Sequence, residues 1–399
     1  MGFGMLYYKK IVKKIKIGHI ITRLIIGGAQ ENSIFTVEGL RKKGYDVTLI
    51  SGPGLGPEGS LVEETRKKGL RLIIIPELRR EINPFLDTIA LVKLYSLIKK
   101  EKYDLVHTHS SKAGILGRIV AKLACRRAII IHTIHGLPFH SFQTKILNFV
   151  YANLERFCSL FTNKIICVGT VMKEKALSAH IGNKEKFVVI YSGFEVEKCQ
   201  DPQINPEEER RKWGLEKNDL VIGNIGRLFP LKGQGYLLEL LDQIKKLFPQ
   251  IKLVLVGEGI LHKTLEKRAE SLGIRDAVIF TGLLPAEQIP KVISTFDLLV
   301  HVSLREGLPK TVAQGLAAGK PIVAFDVDGA KEIVIDGKTG YLVPAKDTKK
   351  LAFTIIKALK NKTSSEKMAK EGQKLIKKLF PIEVMVNKIE EEYKGQCGT

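Results

Sequence analysis

The sequence predicts an α/β protein of two doubly wound, Rossmann-like domains facing each other across a cleft, and three observations carry that prediction. From residue 15 short β-branched runs alternate with amphipathic helical stretches, the rhythm of right-handed βαβ units and of a parallel sheet covered on both faces. The rhythm breaks once, at CQDPQINPEEERRKWG (199–214), which is polar, charged and Pro-containing. It then resumes almost to the end of a 399-residue chain whose 44% hydrophobic content suffices for two cores.

In chain order, KIGHIIT (16–22) reads as the first strand and AQENSIFTVEGLRKKG (29–44) as a helix closed by Gly44. DVTLIS (46–51) is strand-like, GSLVEETRKKG (59–69) a helix closed by Gly69, and RLIIIP (71–76) a strand. NPFLDTIALVKLYSLIKKEK (83–102) is a helix with Pro84 near its start, where the missing N–H has no intrahelical partner to lose. DLVHTH (104–109), SKAGILGRIVAKLAC (111–125) and AIIIHTIHG (128–136) follow as strand, helix and strand. A long helix near 141–162, the strand KIICVG (164–169), a helix near 171–181 and FVVIYSG (187–193) complete the first series.

The second series places strands at LVIGNIG (220–226), IKLVLVG (251–257), AVIFTG (277–282), DLLVHVS (297–303), PIVAFD (321–326) and GYLVP (340–344). Helical stretches separate them, among them GQGYLLELLDQIKKLFP (233–249), HKTLEKRAESLG (262–273), AEQIPKVIST (286–295) and PKTVAQGLAAG (309–319). DTKKLAFTIIKALKN (347–361) and two helices near 364–378 and 382–394 close the chain.

The formal charge of +22 is uneven, with +16 on residues 1–200 and +6 on residues 201–399. Such a field attracts phosphates of nucleic acid, anionic lipid or anionic substrate, although solvated helix faces are an equally good account of it. Five cysteines at wide spacing with no C-x-x-C indicate neither a disulfide framework nor a thiolate zinc site, so a reducing, cytoplasmic compartment is expected. The lysine-rich opening is interrupted by His19 and Arg23 and reads as a first strand rather than a signal peptide, and no apolar run reaches about 18 residues.

Three strand-to-turn junctions have the residue types of a ligand site. In RLIIGGAQEN, Gly27 and Gly28 allow close backbone approach beside helix-start amides, though the stretch is equally a plain tight turn. In GNIGRLFPLKGQG, Arg227 and Lys232 flank a loop at the carboxyl end of a strand, a fork and a point charge suited to a diphosphate; isolated loop cations are more often merely solvated. In REGLPKTVAQGLAAGKP (305–321), Glu306 lies in a turn before a helix, the amides of Gly307 and Leu308 are placed for an anion, and Gln314 reaches back toward the same pocket. Taken alone, Glu306 reads as a favourable charge at a helix start.

The histidines form a fourth cluster. His107 and His109 share one strand face by period two, and HTIHGLPFH brings His132, His135 and His140 to the end of the next strand. No H-E-x-x-H helix or ready carboxylate accompanies them, so a metal-independent site is expected, with His135 as a polar or acid-base group at the mouth of the sheet. Two motifs are decoys. The G-x-G-x-x-G from Gly54 to Gly59 follows the second strand and contains Pro57, and Asp326–Asp328 ends a strand in a turn, where capping is the better reading of an acid-x-acid pair.

In this order the fragments GGAQENSIFTVEGLRKKGYDVTLISG, DLVHTHSSKAGILGR, HTIHG, GRLFPLKG and REGLPKTVAQGLAAGKPIVAFDVDG resemble glycosyltransferase family 4, and the resemblance covers nearly the whole chain. It implies the GT-B fold, with residues 1–197 as the acceptor-side domain, 198–381 as the nucleotide-sugar domain and 382–399 crossing back to the first. It implies that Arg227 and Lys232 hold the donor diphosphate, that Gly28, Gly307 and Leu308 approach its phosphates, and that Glu306 binds hydroxyls of the transferred sugar. His135 would lie beside the reacting sugar, Gly282 and Leu283 at the base pocket, and Gln30 and His109 on the acceptor side. The family's usual second glutamate falls on Gln314, whose amide oxygen also accepts from a ribose.

The implied reaction is retaining transfer from a nucleotide-sugar, UDP-linked by preference, without a metal cofactor. The implied acceptor is a glycan or a polyprenyl-diphosphate-linked sugar on an anionic membrane surface, with lysines 9, 10, 13, 14 and 16 as lipid-phosphate contacts. Two rivals are a nucleic-acid-binding protein drawn by charge, against which the low aromatic content argues, and a GT-B epimerase.

Overall fold

The structure, a computed structural model, describes residues 15–56 and 59–398. The first series runs β1 (Lys16–Ile21), α1 (Gly28–Lys42), β2 (Asp46–Ser51), α2 (Val62–Lys67), β3 (Arg71–Ile74), α3 (Pro84–Glu101), β4 (Leu105–His109), α4 (Ser111–Ala124), β5 (Ile129–Ile134), α5 (Lys145–Leu160), β6 (Lys164–Cys167), α6 (Thr170–Ser178) and β7 (Phe187–Val189). Its strands pair in parallel in the order β3-β2-β1-β4-β5-β6-β7.

The second series runs α7 (Pro206–Lys212), β8 (Leu220–Ile225), α8 (Gln234–Leu247), β9 (Ile251–Val256), α9 (His262–Ser271), β10 (Val278–Gly282), α10 (Ile289–Ser294), β11 (Leu298–His301), α11 (Lys310–Ala317), β12 (Ile322–Phe325), α12 (Ala330–Ile333), β13 (Tyr341–Val343) and α13 (Thr348–Lys360). The order β10-β9-β8-β11-β12-β13 repeats that of the first sheet. Helices α14 (Lys362–Leu379) and α15 (Ile382–Cys397) end the chain.

Local chemistry sets the helix ends. Asn83 caps α3 by accepting from the amides of Phe85 and Leu86, with Pro84 behind it, and Asn205 with Pro206 repeats the device at α7. Each sheet then buries an apolar cluster on either face. The chain crosses back through Phe194, whose amide donates to the Phe380 carbonyl at 3.0 Å, and α15 docks on α1 with Met385, Val386, Ile389 and Tyr393 in the core of the first sheet.

In both sheets the strand order reverses beside the first strand, at β1/β4 and at β8/β11, and the loops at such a switch point open a crevice outside the carboxyl ends. The two crevices face each other. All five cysteines are free thiols, and among the described residues no helix is long and apolar enough to cross a membrane. Lysines 9, 10, 13 and 14 lie outside the described residues. Lys16 is corrected as a lipid contact: it opens β1, at the end of the sheet away from the cleft, and its ammonium is taken by Glu101 at 2.6 Å.

Candidate functional site

Adjacency of β8 and β11 decides the electrostatics of the second domain. The loop that leaves β8 carries Arg227 and Lys232, the loop that leaves β11 carries Glu306, and the two are tied side by side by the Leu304 amide and the Ser303 hydroxyl, both donating to the Leu231 carbonyl. Gly233 permits this approach: its φ is +73° and a Cβ there would stand 2.1 Å from the Val302 carbonyl oxygen. Buried Gln234 holds the first loop by donating from Nε2 to the Arg227 carbonyl at 3.0 Å, and the Arg227 guanidinium lies 5.8 Å from the Phe229 ring centre.

The Lys232 ammonium consequently meets Glu306 Oε1 at 2.5 Å, and buried His301, at the end of β11, places Nε2 3.4 Å from the same oxygen. Burial by itself would raise the Glu306 carboxyl, but the Lys232 ammonium and the His301 ring hold it well below the usual carboxylate range. Glu306 is therefore ionised at neutral pH and not an isolated acid. The sequence places Lys232 and Glu306 in separate junctions; the cation is the neighbour of the acid because β8 and β11 are paired strands.

The backbone of the same turn is anchored by Asp328, whose Oδ2 accepts from the Glu306 amide at 2.7 Å. Asp328 does lie in a turn, with φ +45°, and its carboxylate also meets Lys175 of the first domain.

Across the cleft the domains touch at this turn. A Cβ on Gly307 would stand 2.5 Å from the His135 carbonyl oxygen, and the Arg305 guanidinium donates to the Leu137 carbonyl at 2.8 Å. Glu332 accepts from the Thr170 and Val171 amides at 2.6 and 2.9 Å, a carboxylate at the start of α6. Lys310 meets Glu31 of α1. Half-buried His135 thus stands opposite Glu306, with Nε2 3.1 Å from His109 Nδ1, and burial pushes its pKa down to about 4, so the ring is neutral at pH 7.

The remaining predicted residues distribute along the same cleft. Gly28 is exposed at the first position of α1 with open space where a Cβ would be, and Gln30 turns back over Gly27. Gln314 is half-buried in a cleft cavity of about 470 Å³ that Glu31, Lys198, Pro285 and Lys310 also line. Gly282 ends β10 with φ +69°, and Leu283 beside it is 49% exposed. Gln314 thus keeps company with Lys310 and Glu31, while Glu306 is held in the Lys232–His301 group.

The histidine set is also corrected. His132 points to the opposite face of the sheet, bonded to Thr108 Oγ1 at 2.9 Å, because its register partner is Thr108. The amide of His140 is tied to Asn148 Oδ1 at 3.0 Å, so only His135 of the three joins His109. The Gly54–Gly59 decoy packs back on the chain after β1, the Gly59 carbonyl accepting from the Ile26 amide; Pro57 lies outside the described residues.

His301, Gln234 and Asp328's anchoring of Glu306 escaped sequence reasoning. The strand DLLVHVS carried the signal for His301, since a histidine near the carboxyl end of a strand that neighbours the Arg227–Lys232 strand must face that loop or its opposite side.

Residues 26–198 match the family model described as Glycosyltransferase Family 4, and residues 205–375 match that of Glycosyl transferases group 1. The UDP-Gal:alpha-D-GlcNAc-diphosphoundecaprenol alpha-1,3-galactosyltransferase of Escherichia coli is 31% identical over 96% of this chain and 98% of its own length. The capsular polysaccharide biosynthesis glycosyltransferase CapM of Staphylococcus aureus is 25% identical over 90% of this chain and 92% of its own. Among solved structures, Anabaena HepE in complex with UDP and glucose superposes with a TM-score of 0.82 at 23% identity, over 96% of this chain and all of that one, which shows the shared two-domain fold.

Proposed function

The chain belongs to glycosyltransferase family 4, and from that premise we propose that it moves a sugar from a UDP-sugar to a lipid-linked glycan with retention of anomeric configuration. The observation that carries the reading is the Lys232–Glu306–His301 group, half-buried at Lys232 and Glu306 and buried at His301, at the carboxyl end of the second sheet, facing His135 across Gly307. Lys232 and Arg227 supply positive charge where a diphosphate leaves, and the helix-start amides at Gly28, Gly307 and Leu308 add donors, so charge developing in the transition state is met without a metal ion. Both contacts to Glu306 fall on Oε1, which supports reading Oε2 as the acceptor for a sugar hydroxyl. Gln314 accepts from the ribose, and Gly282 with Leu283 borders the base.

In front-face substitution the acceptor oxygen attacks the anomeric carbon on the side from which the diphosphate departs. The bond from that carbon to the phosphate oxygen breaks as the new glycosidic bond forms, and the acceptor proton passes to the departing phosphate oxygen. The relatives favour a diphospholipid-bound acceptor, since the E. coli protein's name specifies a GlcNAc-diphosphoundecaprenol.

A feature of α5 supports the membrane side of this reading. Ile146, Phe149, Phe157 and Leu160 are 78%, 68%, 53% and 75% exposed, a stripe at helical spacing that starts beside the His135–His140 loop, with Phe142 and Lys145 at its head. A soluble monomer rarely leaves such a row open, and burying each side chain in a bilayer interface is worth about 1.5–3 kcal/mol. The basic first domain matches an anionic leaflet.

Two experiments test the function. Among UDP-, GDP- and ADP-sugars, a UDP-sugar at a hundredfold excess over its Kd is expected to add about 2.7 kcal/mol of stability in a thermal-shift assay. A shift with GDP-sugars alone would overturn the donor assignment. In sedimentation with phosphatidylglycerol vesicles, the double variant Ile146→Glu, Phe149→Glu is expected to partition at least tenfold less than the parent while keeping its rate on a water-soluble acceptor; equal partitioning would remove α5 from the membrane face.

A further inference from the structure

Six buried or half-buried side chains of the first domain join end to end by hydrogen bonds. Thr133 Oγ1 meets His107 Nε2 at 2.7 Å, His107 Nδ1 meets the Tyr393 hydroxyl at 2.5 Å, and that hydroxyl meets His19 Nε2 at 3.1 Å. His19 Nδ1 then meets His109 Nε2 at 3.0 Å, and His109 Nδ1 meets His135 Nε2 at 3.1 Å. His19, His107, His109 and Tyr393 are wholly shielded from solvent. The row draws on β1, β4 and β5, where His19 and His107 are register partners, but its middle link comes from α15 at the far end of the chain.

A neutral imidazole donates from one nitrogen and accepts at the other, so within such a row each ring dictates the tautomer of the next. Only two senses are consistent. In one, Thr133 donates to His107, and the donations run through Tyr393, His19 and His109 to His135 Nε2, so that His135 carries its proton on Nδ1. In the other every donation reverses, His135 donates from Nε2 and its Nδ1 is a bare acceptor, but the hydroxyl hydrogen of buried Thr133, whose one side-chain bond is to His107, is left without an acceptor, so the first sense is favoured. We propose that Tyr393, with His19, His107 and His109, forms a set of positioning residues that selects the tautomer His135 presents to the reacting sugar. The proposal rests on the reading of His135 as the residue beside that sugar.

Burial keeps the row in the neutral form that the selection requires. It lowers His19 to about 3 and His135 to about 4, holds His107 and His109 well below the ordinary histidine value, and raises Tyr393 well above that of a free phenol. A protonated ring would present two donors and break the sequence of bonds. A metal ion is the rival use of the same atoms, since ligand nitrogens of His19, His107 and His109 lie within 4.8 Å of one another. All six of their ring nitrogens, however, are already within 3.1 Å of a hydroxyl or of another ring nitrogen. An ion would have to displace those bonds.

Tyr393→Phe in the full chain removes one hydroxyl and little volume. Long-range proton–nitrogen spectra of the imidazoles should show one His135 tautomer in the parent and a mixture in the variant, with kcat lowered roughly three- to tenfold, the worth of one net hydrogen bond, and the donor KM unchanged. Tyr45→Phe is the control, because the Tyr45 hydroxyl ties the same helix through Glu390 at 3.0 Å without entering the row; it should leave both readouts alone. Equal losses in the two variants, an unmoved His135 tautomer, or one zinc ion per purified chain would each overturn the proposal. A shifted tautomer with unchanged kcat would instead strike at His135's place beside the sugar. Should Tyr393→Phe fail to fold, Thr133→Val breaks the row at its other end and is judged by the same two readouts.

Discussion

Glu306→Ala is expected to lower sugar transfer by about two to three orders of magnitude while UDP binds as tightly as before or slightly better. The loss in rate follows from removing a half-buried carboxylate that is ionised because Lys232 and His301 hold it so, and whose Oε2 would take a hydroxyl of the transferred sugar. Affinity for UDP should survive because in the proposed function its diphosphate is held by Lys232 and Arg227 and not by Glu306. Without Glu306, Lys232 loses its 2.5 Å partner and its charge is more available to an anion. Lys232→Ala should do the opposite, weakening UDP itself and leaving His301 as the neighbour of Glu306. Initial rates at saturating acceptor, with calorimetric titration of UDP, separate the two variants. Turnover of Glu306→Ala within threefold of the parent would end its assignment to the sugar.

The fold was legible because its signal is local. Runs such as DVTLIS and KIICVG alternate with helices whose Gly44 and Gly69 stops both take positive φ, and parallel sheets follow from that alternation. The residues of the candidate site stand in the sequence as separate junctions, but the Lys232–Glu306 bond spans 74 positions and exists only because β8 pairs with β11. That pairing is a property of strand order, which a list of strands does not contain. His19 was hidden for a similar reason: inside KIGHIIT it interrupts an apolar strand, and its partners come from β4 and from a tyrosine 374 residues away. The helix expected near 141–162 is α5, at Lys145–Leu160, yet which of its apolar residues stay outside depends on how wide a face α4 covers, and Phe149 and Leu160 are left exposed.

Arg118→Ala is expected to cost the first domain about 3–5 kcal/mol, the penalty for breaking a buried ion pair by removing one partner. Arg118 and Glu155 are 0% and 2% exposed, with Nη2 and Oε2 2.6 Å apart, and they join α4 to α5. The guanidinium also donates from Nε to the Gly114 carbonyl at 2.8 Å, but that oxygen lies inside α4 and keeps its helical partner, so what deletion strands is the buried Glu155 carboxylate. Replacing both partners by apolar residues, Arg118→Met with Glu155→Leu, should recover most of the loss, because the penalty lies in the unpaired charge and not in the absent bond. The one tryptophan, Trp213, is packed with the second domain and would miss the event, so calorimetry of the full chain is the proper measurement, read on its first transition. At about 2–4 °C per kcal/mol for a domain of this size, that transition should fall by about 10 °C in the single variant. A shift below about 2 °C would mean that the apolar packing of α4 holds α5 without the ion pair, and the exposed stripe of α5 would then rest on a support other than Arg118.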